Sequence, residues 1–152
     1  MTTIVLVQPE IPGNTGAVGR TCVALGIDLV LIHPLGFEID DARVKRSGLD
    51  YWQHIRLTEY ADWAAFVADR HPRPDQMFLF EEYASRSFYK PDYPSDAILV
   101  FGQETKGIPA SIVEAHGDAL VRLPMRSDKV RSLNLANTVA AAAYQALRGR
   151  LD

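Results

Sequence analysis

The stretch TIVLVQPEIPGNTGAVGRTCVALGIDLVLI, residues 3–32, decides the fold class. Its opening TIVLVQ is a β-branched apolar run that predicts a buried strand over residues 3–8. Pro9, Pro12 and Gly13 end that strand, and Asn14 or Thr15 is placed to N-cap a helix running to about Leu25. Gly26 stops the helix, and LVLI at residues 29–32 predicts a second buried strand. Strand, helix and strand in this order are the rhythm of an α/β protein with a parallel sheet flanked by helices.

The chain beyond continues the pattern. Residues 38–46 read as a loop with charges of both signs, and residues 52–57 as a short strand. Residues 60–68 predict a helix with Tyr60, Trp63, Ala64 and Val67 on its apolar side. MFLF at 77–80 and the run at 98–101 are two more short buried strands, separated by a loop holding Pro91 and Pro94. Pro109 starts a helix to about Ala115, as proline suits a first helical turn. Residues 119–123 form a last strand. The closing segment SLNLANTVAAAAYQALRGR, residues 132–150, opens on polar side chains and runs into a helix so rich in alanine that another backbone can lie close against it. Ser132, Asn134 and Asn137 stand at its mouth, which points to a site built where two pieces of protein meet. With no internal repeat, low-complexity tract or linker, residues 1–152 are expected to form one domain.

Composition narrows the function classes. A hydrophobic share of 47% and a charged share of 23% describe an ordinary globular protein. No apolar run approaches the roughly 18 residues of a membrane span, so no membrane partner is expected. Cys22 is the lone cysteine, which leaves no intrachain disulfide or cysteine metal cluster and makes a reduced cytoplasmic setting the expectation. The net charge of -3 argues against a nucleic-acid partner until its distribution is read. Residues 59–104 hold nine acids and four bases, whereas residues 119–152 hold six bases and two acids. The basic end is also the end with the polar-mouthed helix.

The loop GNTGAVGR, residues 13–20, sits between strand and helix as a dinucleotide fingerprint would, but Gly13, Gly16 and Gly19 have the wrong spacing. The second strand also ends on His33 and Pro34, with no acid to hold a ribose, which excludes the Rossmann reading. Asn14 and Arg20 remain. Arg20 is either an exposed arginine on a capped helix or a guanidinium free to bind a phosphate bidentately. Gly16 and Gly19 permit close approach along that helix. The second motif, FGQETKGIP at 101–109, follows a buried strand, and ligands of open parallel sheets bind beyond strand carboxyl ends. Gly102 and Gly107 allow a tight turn, and Glu104 and Lys106 put one charge of each sign in it. The third motif is RLPM, residues 122–125, followed by SLN at 132–134. Ser132 alone is most simply an N-cap, while Asn134 and Asn137 are poor mid-helix residues and suit capping or functional use. Tyr144 fits core or interface. His33, His54, His71 and His116 lie scattered, with neither catalytic-triad nor metal-ligand spacing, so no metal is expected.

Together, PEIPGNTGAVGRTC, LVFGQETKGIP and LPM…SLNLANTVAAAAYQALR resemble the three signature motifs of the SPOUT methyltransferases. The match is to the minimal single-domain branch that methylates the ribose 2′-oxygen of the wobble nucleotide of tRNA. The resemblance covers nearly the whole chain. It implies an α/β fold with a C-terminal deep trefoil knot, a homodimer, bound S-adenosylmethionine, and the tRNA anticodon stem-loop as partner. By the same resemblance, Phe80, Gly102, Leu123 and Ser132 match cofactor contacts, with Met125 lining that pocket. Asn14, Arg20, Glu104, Ser132 and Asn134 match the polar set, from which Asn14, Arg20, Ser132 and Asn134 are expected to be catalytic and Glu104 to face the cofactor. The chain departs from the family pattern after residues 77–80, where it reads EEYASRSF instead of a short Thr/Lys/Gly turn. The spacing between Met125 and Ser132 is also one residue longer.

Methyl transfer to a ribose hydroxyl needs position and an activated oxygen more than covalent chemistry. A guanidinium is almost always protonated, so Arg20 is expected to clamp a phosphate and stabilise developing alkoxide charge. Base behaviour stays open if a phosphate takes up a proton. The other readings to be weighed are a base or another RNA position as target, and a catalytically inactive knotted dimer that binds RNA.

Overall fold

The computed structural model describes the backbone of residues 1–152 and every side chain except those of residues 45 and 47–49. Six strands form one parallel sheet: β1 (Thr3–Val7), β2 (Asp28–Ile32), β3 (Leu57–Tyr60), β4 (Met77–Phe80), β5 (Ile98–Phe101) and β6 (Leu120–Val121). Their spatial order is β3-β2-β1-β5-β4-β6. The helices are α1 (Pro12–Leu25), α2 (Ala42–Gly48), α3 (Trp63–Arg70), α4 (Ala110–Ala115) and α5 (Leu135–Ala146).

Side chains alternate across each strand, so the two faces of the sheet bury different sets. Ile4, Leu6, Leu29, Leu31, Leu99 and Phe101 enter one core with Val18 of α1 and Val139, Ala142 and Ala143 of α5. Val5, Val7, Val30, Ile32, Leu79 and Val100 enter the other, beneath Phe66 of α3 and Ile112 of α4. Both faces being covered explains why these strands are continuous apolar runs rather than alternating ones.

The expected parallel α/β sheet flanked by helices is present, with corrections to particular elements. Helix α1 begins two to three residues before Asn14 and Thr15. Ile11 is its N-cap without a side-chain cap, and Pro12 takes the first turn. Gly26 does end it, in the left-handed region at φ 65°. Part of the charged stretch expected as a loop is helix α2. The strand expected at 52–57 is a 3₁₀ helix, Leu49–His54, followed by β3. Helix α3 starts later than expected because Asp62 caps it, accepting from the Ala65 amide at 2.8 Å. The expected strand at 119–123 shortens to β6.

Gly19 has the close neighbour its small size allowed for: a Cβ there would meet Ile55 Cδ1 at 2.5 Å. Helix α5 presents Val139, Ala142, Ala143 and Ala146 to the core and packs against α1 and β5. The carboxyl ends of β1, β4 and β5 and the start of α5 therefore lie together, and the candidate site is there.

Candidate active site

After β1 the chain turns through Gln8, a non-glycine residue at φ 54°, and reaches α1 with its first amides unpaired within the helix. The two amides just before the helix are held from more than 90 residues away. The Glu104 carboxylate, in the loop after β5, accepts from the Glu10 amide at 2.8 Å and the Ile11 amide at 3.2 Å. The exchange is reciprocal: the Glu10 carboxylate accepts from the Thr105 amide at 3.0 Å and the Thr105 hydroxyl at 2.7 Å. That hydroxyl and amide hold the Glu10 carboxyl below the usual carboxylate range. Two loops at neighbouring strand ends are thus braced by two carboxylates.

The loop after β5 is a tight turn. Gln103 and Gly107 exchange backbone hydrogen bonds at 3.0 and 2.9 Å, and Gly107 sits at φ 72°. A Cβ on Gly102 would lie 2.0 Å from the Gly107 carbonyl carbon, so main chain packs directly on main chain there.

The third motif joins through asparagines. Asn134 is the N-cap of α5, its side-chain oxygen accepting from the Ala136 and Asn137 amides at 2.9 and 3.3 Å. Its Nδ2 donates to Asn14 Oδ1 at 3.0 Å, and Asn14 Nδ2 donates to Glu104 Oε1 at the long distance of 3.5 Å. A polar chain Asn134–Asn14–Glu104 therefore crosses from the last helix to the first helix and the β5 loop.

Beside this chain opens a cleft of about 250 Å³, bordered by Asn14, Phe80, Gly102, Glu104, Ser132 and Asn134. It continues into an apolar recess formed by Phe80, Leu123, Met125 and Leu133. Phe80 is buried and stacks on Phe101 with ring centroids 4.7 Å apart. Of the predicted cofactor contacts, Phe80, Gly102, Leu123, Met125 and Ser132 all border this space. Glu104 borders it too, but its oxygens are engaged by the Glu10 and Ile11 amides, which makes it a brace first.

Arg20 is not brought to the asparagines within one chain. Six residues beyond Asn14 is about 9 Å along a helix and well round its axis. Arg20 is exposed, with its guanidinium 5.0 Å from the Tyr51 ring centroid, a cation–π contact with the 3₁₀ helix. Tyr144 is 56% exposed on α5. Arg122, Arg126, Lys129 and Arg131 are exposed along the loop that leads to Ser132.

Sequence reasoning did not single out Glu10, Thr105 or Glu81. Glu81 follows β4 directly and is only 7% exposed. Its carboxylate lies over Gly107 and accepts from the Ile108 amide. Burial pushes its pKa up; the Ile108 hydrogen bond opposes that shift and neighbouring Glu82 adds to it. The available signal was the rule applied only to the loop after β5: ligands of open parallel sheets bind beyond the carboxyl ends of strands, and Glu81 is the first residue beyond β4. Cys22 is buried and its thiol is pushed up to about 12 by burial, so it is no nucleophile. Among the described residues no group of His, Cys, Asp and Glu is placed to hold a metal ion.

Residues 1–144 match the SpoU rRNA Methylase family. A tRNA (cytidine(34)-2'-O)-methyltransferase of Burkholderia cenocepacia is 48% identical over 149 residues, covering 97% of this chain and 95% of that protein. A putative tRNA (cytidine(34)-2'-O)-methyltransferase of Bacillus subtilis is 43% identical over 147 residues, covering 95% and 91%. Among solved structures, a putative RNA methyltransferase from Bacillus anthracis superposes with a TM-score of 0.88 at 45% identity, covering 97% and 93%. Another, described as giving insights into the 2-OH methylation of C/U34 on tRNA, superposes with a TM-score of 0.90 at 41% identity, covering 97% and 95%. The braced loops, the asparagine chain and the apolar recess thus form the candidate site of a chain that belongs to the SpoU rRNA methylase family.

Proposed function

We propose that this chain is an S-adenosylmethionine-dependent tRNA methyltransferase acting on the ribose 2′-hydroxyl of the wobble nucleotide, cytidine or uridine, in the anticodon stem-loop. The observation that carries the reading is the hydrogen-bond chain Asn134–Asn14–Glu104, which assembles all three motifs at the rim of one apolar cleft. The relatives named for cytidine(34) 2′-O-methylation supply the substrate.

The residues present fit an adenosyl group. The Gly102–Gly107 contact leaves no room for a side chain on that wall, so main chain lines the cleft there. Phe80, Leu123 and Met125 give the apolar surface on which a purine lies. When bound, S-adenosylmethionine supplies a methyl group made transferable by its sulfonium. The chain's own task is position: Ser132 borders the cleft where the ribose must approach, and Asn14 and Asn134 hold the two helix starts in register around it. A ribose hydroxyl is a weak nucleophile until its proton is drawn away, and a guanidinium favours the developing alkoxide and fixes an adjacent phosphate.

That guanidinium is Arg20. Since it stands on the exposed flank of α1, the reading includes a homodimer in which it serves the partner's cleft, with exposed Tyr144 of α5 at the seam. It also includes a trefoil knot at the C-terminal end. The placement of β6 on the sheet edge beyond β4, with α5 returning to pack on α1 and β5, is consistent with such threading. Residues 1–152 act as one domain in the cytoplasm, without a metal. No helix among the described residues is long and apolar enough to cross a membrane.

The test is incubation of the protein with tritiated S-adenosylmethionine and unmodified tRNA, followed by nucleoside analysis. Label in 2′-O-methylcytidine or 2′-O-methyluridine from the wobble position is expected. Label on a base would refute the 2′-O assignment, and absence of labelling with intact binding would leave the inactive RNA-binding dimer.

A further inference from the structure

Glu81 is unusual for an exposed loop start. It is an acidic side chain, 93% removed from solvent by the 7% exposure already given, with no cation against it in any ion pair of the described residues. Among the described residues the one N–H that donates to its carboxylate is that of Ile108. A carboxylate has about four acceptor positions, so most of its capacity is unused. Burial with so little compensation is costly, and it raises the group's pKa. A side chain held in that condition is either a structural liability or an acceptor waiting for donors.

Its place favours the second. Glu81 is the first residue beyond β4 and borders both the cleft and the apolar recess that share Phe80 and Leu133. Its carboxylate is pinned against Gly107, where a Cβ would come within 2.5 Å of Oε1 and 2.9 Å of Oε2. The glycine thus lets the carboxylate reach the wall of the cleft, and the Ile108 amide fixes its orientation. An apolar slot with a carboxylate at its end is the chemistry that takes a nucleoside: base on the apolar surface, vicinal hydroxyls donating to the two carboxylate oxygens.

We propose that Glu81 is the ribose-binding residue of the cofactor site, its carboxylate accepting hydrogen bonds from the 2′- and 3′-hydroxyls of the adenosyl group. The proposal rests on the reading of the cleft as an S-adenosylmethionine site and goes beyond it by assigning the ribose. It also gives a use to the EEYASRSF segment, which departs from the family's pattern. The acid that this chain's second strand, ending on His33 and Pro34, does not offer is supplied instead after β4.

The experiment is calorimetric titration of the full chain with S-adenosylhomocysteine and its 2′-deoxy and 3′-deoxy analogues, for the wild type and Glu81→Gln. The carboxamide keeps an oxygen for the Ile108 amide, so the turn is retained. S-adenosylhomocysteine should bind Glu81→Gln about tenfold to thirtyfold more weakly, the loss of two charge-assisted hydrogen bonds for neutral ones. Each deoxy analogue should bind the wild type more weakly and be less sensitive to the substitution, since one partner is already gone. Equal affinity of both proteins for S-adenosylhomocysteine overturns the proposal. So does an equal loss for parent and deoxy ligands, which would place the carboxylate on the amino-acid end. Full wild-type discrimination against the deoxy analogues that persists unchanged in Glu81→Gln overturns it as well. Failure of the wild type to bind any of the three removes the cofactor reading itself, and the proposal with it.

Discussion

Replacing Glu104 with glutamine separates a brace from a cofactor contact. The carboxylate accepts from the Glu10 amide at 2.8 Å, the Ile11 amide at 3.2 Å and Asn14 Nδ2 at 3.5 Å, while Ile11, the N-cap of α1, has no side-chain cap of its own. Glutamine keeps one acceptor oxygen, which would retain the shortest bond, and turns an NH2 toward the Ile11 amide and Asn14. Hydrogen bonds to a charged acceptor contribute about 1.5–3 kcal/mol and neutral ones about 0.5–1.5 kcal/mol. Loss of a carboxylate at a helix N-terminus adds about 0.3–1 kcal/mol. The site is partly exposed and water compensates in part, so Glu104→Gln should destabilise by about 2 kcal/mol. For a chain of 152 residues that corresponds to a fall in Tm of about 4–8 °C. Thermal melting followed by circular dichroism measures it, with calorimetric titration of S-adenosylhomocysteine in parallel. Combining Glu104→Gln with Asn14→Ala should cost less than the sum of the single changes, because both cut the same chain of hydrogen bonds. A Tm within about 1 °C of the wild type, together with a large loss of ligand affinity, would refute the brace and make Glu104 a direct cofactor contact.

The remaining expectations concern packing, charge and reach. Ala143 is fully buried where α5 meets the core, so Ala143→Leu should overpack it at a cost of about 1–3 kcal/mol. Ala140→Leu, at a half-buried position, should cost less, and urea titrations of the two variants giving the opposite order would show the helix to be rotated from its assigned face. Because burial raises the folded-state pKa of Glu81 above its unfolded value of 4.5, the native chain holds more protons across that window and stability falls as pH rises through it. Glu81→Gln should therefore melt higher than the wild type at neutral pH and converge with it below the unfolded pKa; parallel Tm-against-pH curves would contradict this. Arg20→Ala should lower turnover with tRNA while lowering Tm by only about 1–4 °C, since its contact with Tyr51 is an exposed cation–π pair of about 0.5–1 kcal/mol. Full turnover by that variant would remove Arg20 from the site.

The parts of the fold visible in the sequence are those set by local rules. Strands β1, β2, β4 and β5 are short apolar runs between glycine, proline and asparagine signals, and their existence follows from that pattern alone. The start of α1 was not visible, because the two amides just before it are held by a carboxylate more than 90 residues away, and no local side-chain cap marks it. The stretch containing α2 carries charges of both signs without clear apolar periodicity, and it forms a helix because it packs on α1, a tertiary effect. In the site, Gly102 and the asparagines were legible because their residue types are out of place in ordinary turns and helices. Glu10 and Thr105 were not, since Glu and Thr in a loop read as solvated. Only the fold shows that each is bonded across to the other's loop. Arg20 was legible as a residue and not as a position, because helical rotation carries it away from Asn14.

The same hydrogen bonds decide how charge is divided over the proposed binding surface. Helix N-termini commonly bind phosphate, and two of them border the cleft. A side chain already stands at each: the Glu104 carboxylate sits just before α1 on the Glu10 and Ile11 amides, and Asn134 takes the Ala136 and Asn137 amides of α5. What remains facing the cleft from charged side chains is acidic, from Glu81, Glu82 and Glu104. An anion has no reason to enter, whereas a sulfonium-bearing donor is favoured there. The cations stand outside: Lys106 and Arg131 border the outer mouth, and Arg122, Arg126 and Lys129 lie along the exposed loop that leads to it. An acidic interior with a basic rim suits the proposed function, in which a cationic cofactor enters, a polyanionic backbone stays at the edge and a ribose reaches inward. A net charge of -3 is then compatible with an RNA substrate, because acids that set its sign sit partly in the cleft rather than on the basic rim.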